Sequence, residues 1–327
     1  MTEQQKIVEL NFAKGASTFE DFVLPSVEVE RVTHSSRIKK FLKDFSPKTD
    51  PVEYIFNENL ADYKSFDPRV AAVLLFSDNP SAFNPRKCAV KIARYETREE
   101  DIERDALKHT YTIEGSLYEL IDKTVTKVAE IMSTVQIWTV DGLKNVSYPP
   151  EAIWEIIVNA IIHRDYSISD DVQVYIFNDR IEVVSPGKLP GYVNVENILD
   201  ARFSRNPKIV RTLNRYKNAP NKDLGEGLNT AFQKMKEWKL KSPEVSEDGN
   251  SVRVVIPHIP LGTPQEHILD FLSKNDTITN KQAREITGIK SENAMKTEFY
   301  RLRDAGTIQR VPGLQGSASA WQLIKSI

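Results

Sequence analysis

The sequence predicts an α+β protein, with an α/β centre followed by a C-terminal winged helix-turn-helix, and three observations predict it. Tyr148–Tyr166, YPPEAIWEIIVNAIIHRDY, is a helix apolar round most of its circumference, with Ile153, Trp154, Ile156, Ile157, Val158, Ile161 and Ile162, so a domain has to bury it. Val172–Phe177 and Ile181–Val184 alternate on either side of Asn178-Asp179-Arg180, which is a hairpin signal. Gln265–Lys274, Thr279–Thr287 and Ser291–Ala305 are three helical patterns, and Thr307–Val311 and Ala320–Ile324 are strand-like pieces around a Gly/Ser-rich tip. That is the order of a winged helix-turn-helix.

Each element has a local cause. Pro149 and Pro150 open the first helix, where a missing N–H costs nothing, and Glu151 suits the positive end of the helix dipole. Upstream, Lys6–Phe12 alternates like a short strand, Val29–Asp44 has a charge-rich helical pattern, and Pro68–Ser77 is apolar enough for a buried helix or strand. Ala89–Tyr95 reads as a half-buried strand, Tyr118–Ile137 as a helix with one buried face, and Trp138–Val146 as a strand and turn. Downstream, the second hairpin strand stops at Ser185-Pro186-Gly187, Pro207 opens a helix in the basic segment, Asn229–Trp238 is a further helix, and Ser251–Pro257 is the strand that closes the sheet.

At 327 residues the chain is long for a single core. The expected division is an N-terminal segment over 1–66, an α/β segment over 67–147, a core over 148–258 and the winged helix over 264–327. With 40% hydrophobic and 28% charged residues the chain reads as globular, and a net charge of -2 argues against a wholly basic, histone-like protein. Cys88 stands alone, so no disulfide framework or cysteine metal site can be built, which fits a reducing cytoplasm. MTEQQKIVEL has no signal pattern, and no apolar run reaches the ~18 residues that span a bilayer. The expectation is a cytoplasmic protein with no membrane role.

The candidate chemistry begins on the first helix. Glu155, Asn159 and His163 fall at i, i+4, i+8 and share one face. Either this is the helix's solvent-facing stripe, or a carboxylate and an amide one turn apart activate a water and hold a Mg²⁺ that carries phosphates. Gly187, and Gly225 with Gly227, mark two loops where backbone N–H groups can approach phosphate, the second just before a helix.

EIIVNAIIHRDYS, VYIFNDRIEVVSPGKLPG, ARFSRNPKIVRTL and GEGL, in that order, resemble the GHKL ATPase fold of gyrase, MutL and sensor histidine kinases. The resemblance is to the divergent form found in RecG-like predicted transcriptional regulators, often associated with AlbA-like (Schlafen-type) domains. RVAAVLLFSDNPSAFNPRKCAVKIARYE and IEGSLYELIDKTV look like the family's preceding segment, so the resemblance spans about Asp67 to Pro257. FAKGASTFEDFVLPSVEVERVTHSSRIKKFL resembles the end of an AlbA-like domain, and that domain's activity is not assigned to this chain.

The resemblance implies a GHKL-like α/β sandwich, a mixed sheet covered by helices, with ATP and Mg²⁺ as cofactors. Glu155 would be the general base and Asn159 the Mg²⁺ ligand. His163, Ser185, Gly187, Lys188, Arg205, Gly225 and Gly227 would complete the nucleotide site. Ser185 stands where standard members carry the Asp that reads the adenine amino group. A charge-assisted bond to the base is therefore lost, and ATP hydrolysis is left open. Asp165 either pairs with a basic group such as Arg205 or lets the HRDY phrase face phosphate.

In the tail the candidate recognition helix carries Asn293, Lys296, Thr297, Arg301 and Arg303, with Arg310 in the wing. These residue types reach base edges and phosphates, although Glu292, Glu298 and Asp304 lie among them and leave protein contact as the alternative. The function expected is an ATP-binding, DNA-binding transcriptional regulator acting as a homodimer. The rivals are an ATPase subunit of a nucleic-acid-acting system, such as phage defence, and a scaffold whose nucleotide site has decayed.

Overall fold

The computed structural model describes residues 19–84, 87–99, 104–139, 142–201, 204–221, 227–259, 262–314, 316 and 319–324. The strand expected over 6–12, as well as Gly225, lies outside these residues.

The described residues begin with a 3-10 turn over Phe19–Asp21 and continue through α1 (Glu30–Thr33), α2 (Ser36–Phe45), α3 (Pro51–Asn57), α4 (Val70–Phe76) and the short α5 (Pro80–Phe83). The helical run expected from Val29 breaks at Ser35, whose hydroxyl accepts the Ile38 N–H at 3.2 Å and starts α2 afresh. All seven residues of VAAVLLF in α4 are buried, because the segment offers no polar face to water. β1 (Val90–Tyr95), β2 (Leu107–Ile113), α6 (Leu117–Met132) and a hairpin of β3 (Gln136–Thr139) and β4 (Gly142–Asn145) follow. Next come α7 (Pro150–Ile162), β5 (Val172–Ile176), β6 (Arg180–Pro186), α8 (Pro207–Leu213), α9 (Gly227–Glu237), β7 (Glu244–Asp248) and β8 (Ser251–Pro257).

These strands form a mixed six-stranded sheet in the order β2-β1-β5-β6-β8-β7, flanked by helices. β1 and β5 are its parallel pair, which requires a crossover, and α6 and α7 lie within it. Val90, Ile92, Val172, Val174, Ile176, Ile181, Val183 and Ile256 are all at most 2% exposed, and α6 and α7 pack over the sheet. One apolar cluster extends from Val27 to Ile256, so residues of the first three expected segments share it.

Two strand expectations are corrected. β6 continues through Ser185 and Pro186, paired with Val252 and Ser251, where a loop was expected; the proline is tolerated because it ends the strand. Ser251–Pro257 does not close the sheet, since β7 pairs outside it. The sequence of β7, EVSED, is mostly exposed and acidic, a composition that discourages further edge pairing and also masks the strand pattern.

The tail comprises α10 (Pro264–Lys274), β9 (Ile278–Thr279), α11 (Asn280–Thr287), α12 (Glu292–Asp304), β10 (Ile308–Arg310) and β11 (Ala320–Leu323). Thr263 with Glu266, and Thr279 with Gln282, form capping boxes that start α10 and α11. Gly288, at φ 72°, ends α11 in the left-handed region. The three strands form their own sheet, β10-β11-β9, over a second apolar cluster that includes Ile268, Phe271, Met295, Phe299 and Trp321. Among the described residues no helix is long and apolar enough to cross a membrane.

Glu20 fastens the N-terminal segment to the rest. It is fully buried and accepts the Lys208 N–H at 2.8 Å and the Ile209 N–H at 3.0 Å, while Asp21 pairs with the Lys208 ammonium. Burial, above all, raises its pKa from 4.5 to about 7. Between those values the folded chain keeps a proton that the unfolded chain has released, so stability falls as pH rises through this window and levels off above it. Thermal melts across that range should show this fall in the native chain, on the order of 3 kcal/mol. Glu20→Gln should lose the pH-dependent component, with a lower overall stability because its one amide oxygen replaces two carboxylate oxygens that accept one N–H each.

Candidate functional site

Eight residues of α7 are buried: Ala152, Ile153, Ile156, Ile157, Val158, Ala160, Ile161 and Ile162. Glu155 and Asn159 are half-buried on the remaining line, so they face neither open water nor the closed core. His163 follows as the helix C-cap. What covers that line is the start of α9, which packs along α7. A Cβ placed on Gly227 would run into the Glu155 carboxylate and come within 3.5 Å of Asn159 Nδ2, so glycine is what permits the approach. α9 is an 11-residue helix with no acidic residue in its first turn, and its N-terminus meets α7 at these two side chains.

The end of β6 is fastened to the next turn of α7. Ser185 donates its hydroxyl to the Ala160 carbonyl at 2.8 Å. Asp165 N–H donates to Pro186 O at 2.7 Å, and Gly187 N–H to Asn250 O at 2.8 Å. Gly187 sits at φ 106°, and a Cβ there would strike the Arg205 guanidinium and Asp165. Arg205 donates to Lys188 O at 2.6 Å and pairs with Asp165 at 3.7 Å. Burial, and then the nearby Arg205 charge, lower the His163 pKa to about 4, which leaves a neutral imidazole near neutral pH. Its Nδ1 is buried with no hydrogen-bond partner among the described residues.

Glu155, Asn159, His163, Ser185, Gly187, Lys188, Arg205 and Gly227 are thus gathered along the C-terminal half of α7, where α9 and the end of β6 meet it. Gly225 lies outside the described residues. The geometry places Arg205 against Asp165. It also corrects the picture of Ser185 as a loop hydroxyl, because its O–H is directed into the α7 backbone.

Two supporting residues have no local sequence signal. Asn206, 1% exposed, donates to Ile162 O at 2.7 Å and Arg164 O at 3.0 Å, satisfying carbonyls at the end of α7. Arg164, 2% exposed, donates to Ile168 O at 3.0 Å and to Asp170 O, and lies over the Tyr166 ring. The HRDY phrase therefore builds the turn that follows α7. Among the described residues no cluster of three or more His, Cys, Asp or Glu is arranged to hold a metal without help from a ligand.

Comparison with known proteins agrees with this architecture. Residues 169–256 match a family model described as "Putative ATP-dependent DNA helicase recG C-terminal", which makes this part similar to an ATPase-like domain. The crystal structure of the DIP2311 protein from Corynebacterium diphtheriae is similar in fold, with a TM-score of 0.53 at 14% identity, covering 94% of this chain and 69% of that one. No curated protein matches the sequence.

The Ser185 bond predicts a structural cost. Ser185→Ala should leave the buried Ala160 carbonyl without this donor and destabilise the fold by about 1–2 kcal/mol in urea titrations. Ligand affinity measured under folding conditions should stay unchanged.

Proposed function

We propose that the chain binds an adenine nucleotide with Mg²⁺ between α7 and the start of α9, and that the nucleotide state governs DNA binding by a C-terminal winged helix-turn-helix. The observation that carries the first half is Gly227, whose Cβ position lies against the Glu155 carboxylate and 3.5 Å from Asn159 Nδ2, so that a larger side chain there would have to displace Glu155. A backbone stripped of its side chain at a helix N-terminus, beside a carboxylate and an amide, suits a phosphate-bearing ligand. The similarity of residues 169–256 to an ATPase-like family supports the same reading.

The residues present fit the nucleotide and its metal. Asn159 would ligate Mg²⁺ through its amide oxygen, and Glu155 would orient and deprotonate the attacking water if turnover occurs. Bound Mg²⁺ supplies neutralisation of phosphate charge. Arg205, held by Asp165 and Lys188 O, the exposed Lys188 and the unpartnered His163 Nδ1 stand at the far end of the line from Gly227, where they would meet the nucleoside end of the ligand. The Ser185 hydroxyl is already donated to Ala160 O, so discrimination between adenine and guanine through it should be weak. The committed hydroxyl of Ser185 and the Arg205–Asp165 pair also support a second reading, a scaffold whose nucleotide pocket has closed.

Calorimetric titration separates the two readings. Mg²⁺-dependent saturation by ATP is expected, weakened about tenfold or more by Asn159→Ala, equivalent to ~1.4 kcal/mol, and abolished by Gly227→Val. Absence of saturation in the native chain would leave the scaffold. Phosphate release surviving Glu155→Gln would remove Glu155 as base.

For the DNA half, the support is the arrangement of three helices with a small sheet and the exposure of Asn293, Thr297, Arg301, Arg303 and Arg310, with Lys296 half-buried. Lys296 pairs with Glu292 at 2.6 Å, Arg301 with Glu298 at 2.7 Å and Arg303 with Asp304 at 2.7 Å. The Lys296–Glu292 and Arg303–Asp304 pairs are largely solvated and contribute little, so these cations can exchange them for phosphates, whereas Glu298 is mostly buried and is also held by Gln265. Arg310 lies over the Trp321 ring. Lys296→Ala with Arg310→Ala should weaken duplex binding and lower the salt-dependence slope by about one per lost phosphate contact, as read by fluorescence anisotropy.

A further inference from the structure

The six-stranded sheet has two edges, and they differ in composition. β7 carries Glu244, Glu247 and Asp248 at one edge, and a row of like charges discourages a second copy from pairing there. β2 forms the other edge with LKHTYTI, which has no acidic residue, no proline and no glycine. Its inner side pairs with β1. Among the described residues no strand pairs with its outer side, so alternate N–H and C=O groups point away from the sheet. Thr110 and Thr112 are exposed, while Tyr111 and Ile113 are half-buried against the core. Threonine, tyrosine and isoleucine all suit a pleated surface that takes a further strand.

A bulge limits what can be added. Arg94 stands opposite His109 and Tyr95 opposite Leu107, so Lys108 is an extra residue and the regular run of β2 covers 109–113. A two-fold axis normal to the sheet keeps every side chain on its own face, so each residue meets one an even number of positions away. Centred on Tyr111, such an axis sets Thr110 opposite Thr112 of a second copy and His109 opposite Ile113, and it brings Lys108 beside the exposed Glu114. Opposite charges meet there, and no like charges do. Centred on His109 instead, the axis would take the bulge into the ladder; centred on Ile113, it would run off the strand at Gly115. Lys108 pairs with Glu96 at 3.3 Å with both side chains about half exposed, so it can exchange that partner for Glu114. The Tyr111 ring already lies 4.9 Å from the Lys127 ammonium of α6, so the residue on the axis has little freedom left to lose.

We infer that β2 is the docking edge for a second copy of this chain, paired antiparallel through residues 109–113 about Tyr111, so that the two sheets run on as one. Main-chain hydrogen bonds supply the attraction, and the Lys108–Glu114 and Thr110–Thr112 pairs set the register. The paired run is short, so the association is reversible rather than permanent. The inference needs neither the nucleotide nor the DNA reading.

Sedimentation velocity of the full chain over a series of concentrations should show a reversible monomer–dimer equilibrium. Thr110→Lys with Thr112→Lys sets ammonium groups opposite one another in the paired strands, and Thr110→Glu with Thr112→Glu does the same with carboxylates. Each double variant should raise the dissociation constant about tenfold or more, and an equimolar mixture of the two should regain the native affinity as a heterodimer. Hydrogen exchange reads the same edge in the native chain: outward amides within 109–113 should exchange more slowly in concentrated than in dilute solution. Should a double variant lose its fold, the exchange measurement decides alone. A chain that is monomeric at every concentration, a dimer that both double variants leave intact, or β2 amides indifferent to concentration would overturn the inference.

Discussion

The architecture depends on the burial of α7. A helix apolar on nearly its whole circumference cannot be covered by one neighbour, so the sheet, α6 and α9 all pack against it. That coverage leaves one line of polar side chains, and the neighbour that reaches it does so with a glycine. The candidate site is the one stretch of α7 where an apolar partner would leave Glu155 and Asn159 unsatisfied. Site and core have the same origin, because the packing that stabilises the helix also decides what stands beside its polar line.

The same helix has to end inside the protein, where its last carbonyls still need donors. Asn206 supplies them from 44 and 42 residues away, and Ser185 bonds Ala160 O one turn earlier. Arg164 then turns the chain by donating to carbonyls of Ile168 and Asp170. A guanidinium this deeply buried is tolerated because its Nη2 donates to two local carbonyls and because an aromatic face lies beside it. The phrases SPG, HRDY and SRNP form one mutually bonded knot, and a substitution in any of them disturbs the others.

The sequence pattern made most of the fold readable, since the signals involved are local. Alternation located β5 and β6, the apolar runs located α7 and, as a helix or a strand, α4, and helical patterns located the tail helices. What was hidden depends on distant partners. β7 is acidic because it is an edge, so it carries no apolar alternation. Ser185 looked like loop chemistry because only the pairing with Val252 makes it a strand residue. Glu20 reads as an ordinary surface acid until α8, 188 residues away, places two N–H groups on it. Of the candidate site, the helical spacing of Glu155 and Asn159 was legible, as was the glycine at 227. That Gly227 meets those two side chains was not, because no local rule brings α9 to α7.

The tail meets the core at the residues that follow β8, and this limits how it can move. Ile259 fills the space above Gly288, Lys241 N–H donates to Ile259 O at 2.8 Å, and α11 rests against β3. Rotation of α11 about this seam would have to lift Ile259 from the glycine and separate Arg98 from Glu285. Tyr148, two residues before α7, touches His258 with its ring and donates to Ile256 O at 3.3 Å. A shift of α7 toward its N-terminus would therefore press first on His258 and then on the seam, without any need to distort the sheet. Coupling between sites runs most readily through contacts with two packed arrangements. Ile259 seated on Gly288 is the contact of this seam that such a movement would have to break.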